Sequence, residues 1–131
     1  MKIALIRPPD TSLGNFKKIG GVQHPIDLVY LATYLSLNSE VKATVLDLEV
    51  EPWKENVLRS YLNREKPDAV GITAMTPNMP LAIEIARIAK EVGAKVILGG
   101  AHPTVMPERT LVESNADIVV RGEGEITLRY L

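Results

Sequence analysis

The chain has 131 residues and a net charge of −1; 46% of its residues are apolar, 24% charged and 5% aromatic. That size and balance suit one globular domain, and with Lys17-Lys18 as the only adjacent basic pair they speak against a nucleic-acid partner. No apolar run approaches the roughly 20 residues of a bilayer span, and the lack of cysteine excludes disulfides, thiolate metal sites and cysteine nucleophiles among these residues.

The first predicted element is a strand from Lys2 to Ile6, stopped at once by Arg7-Pro8-Pro9-Asp10. Its apolar stretch is too short for a signal peptide, so the cytoplasm is the expected compartment and no membrane partner is expected. The connection from Arg7 to His24 is long for a strand-to-helix loop, and such length usually serves a function. Pro25 opens a helix whose Leu28, Leu31, Ala32 and Leu35 share one face. A second strand runs from Lys42 to Leu48. Trp53, Val57, Leu58, Tyr61 and Leu62 then form the apolar stripe of a second helix. The third strand, Ala69 to Thr73, holds Gly71 in its middle. Asn78 and Pro80 start a helix with Leu81, Ile85, Ile88 and Val92 inward, closed by Gly93. A fourth strand from Lys95 to Leu98, a short helix from Pro107 to Ser114, a fifth strand from Ile118 to Val120 and a helix opening at Glu125 complete the series.

Strands apolar on both faces, alternating with helices, define an α/β, doubly wound parallel sheet in three α/β/α layers. Five strands in this length predict the flavodoxin-like order 2-1-3-4-5. In such sheets ligands bind beyond the carboxyl ends of the strands. Those ends are Arg7 to Gly14, Thr73 to Asn78, Gly99 to Thr104 and Arg121 to Glu125.

Gly99-Gly100 reads either as a plain turn or as a place where a ligand lies against the backbone, and a bulky residue at Gly100 is expected to block that slot. Gly71 serves close helix packing or leaves room for a buried ligand tail. Thr73 and Thr76 suit ligand hydrogen bonds or turn chemistry equally, and Asn78 reads as a helix cap. His24 and His102 have no metal-ligand spacing. Glu125 reads as a first-turn acid, whereas Glu123, between two glycines, invites a ligand. No nucleophile triad, phosphate-cradling loop or metal motif is present, so neither catalysis nor a protein metal site is expected within these residues.

Arg7-Pro8-Pro9, Pro25 before Leu28-Val29-Tyr30-Leu31-Ala32, Pro67-Asp68-Ala69-Val70-Gly71-Ile72-Thr73, Gly99-Gly100-Ala101-His102-Pro103-Thr104 and Asp117 to Glu125 together carry a resemblance. In this order they resemble the N-terminal cobalamin-binding domain of cobalamin-dependent radical S-adenosylmethionine enzymes, over essentially the whole chain. The resemblance implies a bound corrinoid with its nucleotide tail drawn away from cobalt. It places Pro9, Asp10 and Ser12 beside the cofactor after the first strand. Thr73, Ala74 and Thr76 would meet the tail or the ring amides. Gly99, Gly100, His102, Pro103 and Thr104 would line the tail slot and ring edge, and Gly122, Glu123 and Gly124 would close it.

One departure concerns the Asp-x-His-x-x-Gly stretch of classical cobalamin domains. Here it reads Asp10-Thr11-Ser12-Leu13-Gly14, so no axial histidine from this chain is expected on cobalt. S-adenosylmethionine and a 4Fe-4S cluster are implied in a downstream radical barrel domain, with this chain the N-terminal part of a longer protein, a methyltransferase or another radical enzyme. A domain keeping the fold as a docking scaffold without corrinoid is the second reading. A flavin or nucleotide binder is the third.

Overall fold

The strands are β1 (Lys2–Arg7), β2 (Lys42–Asp47), β3 (Ala69–Thr73), β4 (Lys95–Gly99) and β5 (Ile118–Val119). In the computed structural model, which describes residues 1–10, 23–50 and 53–131, they form one parallel sheet in the order β2-β1-β3-β4-β5. This is the flavodoxin-like arrangement that the alternation predicts. Ser12, most of the Arg7-to-His24 connection and most of the Asp10-to-Gly14 comparison lie outside the described residues.

The helices are α1 (Ile26–Asn38), α2 (Glu55–Glu65), α3 (Met79–Glu91), α4 (Ala101–Val105), α5 (Pro107–Ser114) and α6 (Glu125–Arg129), with a 3₁₀ turn at Thr76–Asn78. Helices α1 and α6 cover one face, where Leu28, Leu35 and Leu128 pack on Ile3, Leu5 and Ile97. Helices α2 and α3 cover the other, where Leu58, Leu62, Ile85 and Ile88 meet Ala4, Ile6, Val70 and Leu98. Successive residues of β1 thus enter opposite cores, which is why the strand reads as an unbroken apolar run. Each fully buried leucine or isoleucine contributes roughly 1.5–3 kcal/mol.

Several local expectations shift. β2 is an edge strand, so Lys42 and Thr44 are exposed rather than packed. Val57 points to solvent while Leu58 and Leu62 carry the α2 contact. In α3 the buried stripe is completed by Ala82, Ala86 and Ala89, and Leu81 is only half-buried. Small residues there bring the helix close to the sheet. Asn78 stands at the N-cap position of α3 but makes no side-chain cap bond to it: its Oδ1 accepts from the Met75 amide at 2.8 Å and closes the 3₁₀ turn.

Two polar links fix the ends of the sheet. Arg7 grips Asp47 through Nε at 2.8 Å and Nη2 at 2.7 Å, joining β1 to β2 at their carboxyl ends. At the far edge Asp117 accepts from the Val96 amide at 2.7 Å and meets Lys90 Nζ at 2.7 Å. The Lys90 ammonium, and then the Val96 amide, hold the Asp117 carboxyl below its ordinary range.

Candidate functional site

Parallel register places Leu5, Gly71, Ile97 and Ile118 in one row across β1, β3, β4 and β5. Thr73 and Gly99, two residues further along, pair in the next row on the same face. With no side chain on Gly71 or Gly99, that face is hollow near its carboxyl edge. The result is a cavity of about 490 Å³, within the size range of small-ligand sites. Leu5, Ile97 and Val120 wall it from the sheet, Leu28 and Leu31 from α1, and Leu128 from α6. Its exposed lining, including Asp27, Val105, Gly122 and Glu123, marks the mouth.

The glycines do different work. A Cβ on Gly71 would lie 2.8 Å from Leu5 Cδ2, so the Leu5 side chain already leans over the gap. A Cβ on Gly99 would meet nothing closer than Val120 at 4.0 Å, so that position opens into the cavity. Gly100 also lines the cavity, and its backbone carries a further reason for glycine. Its φ of 102° and ψ of −170° belong to glycine, and a Cβ would lie 2.8 Å from the Ala74 carbonyl and 2.9 Å from its amide. That side faces the Ala74 backbone and the Thr73 hydroxyl, which would lie 2.9 Å away; Ala74 N donates to Gly99 O at 2.8 Å and Ala74 O accepts from His102 N at 3.1 Å. Gly100 exists to let β3 and β4 turn together.

Of the residues singled out from sequence, Thr73, Gly99, Gly100, Thr104, Gly122, Glu123 and Gly124 converge on this cavity. Ala74, Thr76, His102 and Pro103 do not line it. Ala74 is buried in the α2–α3 core. His102 Nδ1 pairs with Thr76 Oγ1 at 3.0 Å, while its Nε2 is buried without a partner. Pro9 is buried, and the Asp10 amide donates to Glu49 Oε2 at 2.7 Å. Gly71, left open between packing and ligand room, borders the cavity. Asp27, Leu28, Leu31, Val105 and Glu125 were missed as lining. The signal for the α1 residues was Pro25, which starts a helix at the same sheet edge.

Among the described residues the lining holds three carboxylates, Asp27, Glu123 and Glu125, and no lysine, arginine or histidine. Among the described residues no group of three or more His, Cys, Asp or Glu is placed to hold a metal ion. No described helix is long and apolar enough to cross a membrane.

In doubly wound domains, a ligand-sized cavity beyond the strand ends of an open parallel sheet is where small molecules are held. The chain belongs to the B12 binding domain family, whose match covers residues 13–131. It is 37% identical over 134 residues to an uncharacterized methyltransferase of Pyrococcus horikoshii, covering 100% of this chain and 28% of that protein. Over 128 residues it is 36% identical to the anaerobic magnesium-protoporphyrin IX monomethyl ester cyclase of Rubrivivax gelatinosus, covering 95% and 23%. The chain therefore spans about a quarter of the length of these relatives. Among solved structures, the cobalamin-dependent S-adenosylmethionine radical enzyme OxsB with aqua-cobalamin bound matches with a TM-score of 0.81. Identity is 23%, over 98% of this chain and 18% of that one, a likeness of fold.

Proposed function

We propose that this domain holds a corrinoid, with the nucleotide tail in the cavity and the ring lying across the carboxyl ends of β3, β4 and β5. The observation that carries the reading is the hollow beside Gly71 and Gly99, lined by backbone and by Leu5, Leu28, Leu31 and Val120. A flat heteroaromatic tail suits such a slot, because glycine lets it approach the strands and the leucines exclude water from its faces. A space of about 490 Å³ takes the tail and leaves the macrocycle outside. Thr73 offers a hydroxyl at the slot, and the Gly122–Gly124 turn borders the ring edge. Ala74, Thr76, His102 and Pro103 act by shaping the two turns, and Pro9 and Asp10 follow β1 at the same sheet edge.

The three carboxylates on the lining, Asp27, Glu123 and Glu125, speak against a ligand gripped there by phosphates, such as a flavin nucleotide. Cobalt takes no histidine from this chain in our reading, which rests on the stretch Asp10-Thr11-Ser12-Leu13-Gly14, where serine stands in the place of the classical motif's histidine.

When bound, the corrinoid supplies cobalt as a methyl carrier; the chain's part is to bind and orient it. Within a longer protein, a downstream barrel domain with S-adenosylmethionine and a 4Fe-4S cluster would complete a radical enzyme, with methyl transfer as its reaction. The test is to mix the 131-residue chain with hydroxocobalamin, desalt it and record the visible spectrum. Retained corrinoid absorbance supports a carrier. Complete loss would favour a scaffold that keeps the fold alone.

A further inference from the structure

The two glycine turns at the cavity mouth come from different strands, and one side chain ties them. Thr104 Oγ1 donates to the Gly100 carbonyl at 2.8 Å and accepts from the Gly122 amide at 3.0 Å. The first bond is the ordinary back-bond of a threonine to the carbonyl four residues earlier. The second is not local: it spans 18 residues and joins the β4 turn to the β5 turn. Gly122, with a φ of 70°, presents its amide there from a conformation that side chains rarely adopt. Among the described residues no other side chain bonds the stretch from Arg121 to Gly124.

Beyond that stretch the chain enters α6, whose Leu128 packs in the same core as Leu28 and Leu31 of α1. The elements around the cavity thus form a ring, closed on one side by apolar packing and on the other by this hydroxyl. We infer that Thr104 is a positioning residue that clamps the Gly122–Gly124 turn to the β4 turn, fixing the width of the mouth and the residence time of the ligand behind it. The residence-time half rests on the corrinoid reading; the clamp itself does not. The hydroxyl spends its donor and one acceptor position on protein, so its positioning role is separate from any contact it makes with a ligand.

Thr104→Val keeps the shape and removes both bonds, whereas Thr104→Ser keeps the hydroxyl. Hydrogen exchange of the Gly122 amide, measured on the chain without ligand, reads the clamp directly. The valine variant should raise that exchange about tenfold while β3 amides stay protected, and serine should restore it. It should also shorten hydroxocobalamin residence by about fivefold, again with rescue by serine. Unchanged Gly122 exchange in Thr104→Val would overturn the clamp. Faster exchange with unchanged residence would overturn its control of the ligand. If the native chain binds no hydroxocobalamin, the corrinoid reading and the residence claim fall together, and the exchange result still decides the clamp.

Discussion

Leu5 and Gly71 are in-register partners on adjacent strands, and the Leu5 Cδ2 methyl sits 2.8 Å from where a Gly71 Cβ would be. The cavity exists because one strand omits a side chain and its neighbour fills only part of the gap. Gly71→Ala should push the flexible end of Leu5 toward the cavity, costing up to about 1 kcal/mol once the lower backbone entropy of the unfolded chain is counted. Gly71→Leu should cost about 1–3 kcal/mol by overpacking and should shrink the cavity. Urea unfolding of the two variants, compared through their midpoints, measures both effects.

Gly99 and Gly100 are neighbours in sequence with opposite tolerance. An alanine at Gly99 meets Val120 at an ordinary 4.0 Å, so Gly99→Ala should change stability by no more than about 0.5 kcal/mol. Gly100→Ala must leave a conformation reserved for glycine or press its methyl into the Ala74 backbone. It should cost about 2–4 kcal/mol. Equal unfolding midpoints for the two variants would contradict this division of roles.

Strand order, the two cores and the choice of sheet edge follow from apolar periodicity and from where glycines interrupt it. The convergence of Thr73, Gly99, Thr104 and Gly122 was readable too, because all four lie at strand ends that parallel topology brings to one rim. What sequence could not separate was which glycine is there for space and which for φ, since Gly99-Gly100 looks like one unit. Nor could it show that Thr104 bonds an amide 18 residues away, or that His102 turns to Thr76. Those depend on side-chain direction across elements, which periodicity does not encode. Asp27 and Glu125 look like first-turn acids by local rules and acquire a second setting only when α1 and α6 meet over the same cavity.

Asp117 makes a pH prediction. Its folded carboxyl titrates below its ordinary value of 3.8, chiefly through Lys90 and then the Val96 amide. The unfolded chain therefore binds that proton first as the pH drops. The stabilisation is complete above the unfolded value and is lost as pH falls through the lower, folded one. Asp117→Asn should lower stability at pH 7 and flatten the part of the acid-unfolding curve below about pH 4. Thermal melts from pH 7 to pH 2 check this, and parallel curves for variant and native chain would contradict it.

The central claim is that the hollow beside Gly99 receives the tail of a corrinoid. Its most direct measurement is an equilibrium titration of hydroxocobalamin, followed by its visible spectrum, into the native chain and into Gly99→Leu. The leucine has room at its Cβ and must place the rest of its side chain in the cavity, so the variant should keep the native far-ultraviolet circular dichroism. The account predicts saturable one-to-one binding by the native chain and affinity at least about tenfold weaker for Gly99→Leu, a loss of about 1.4 kcal/mol. No binding by the native chain, or equal affinity in a folded Gly99→Leu, would contradict it.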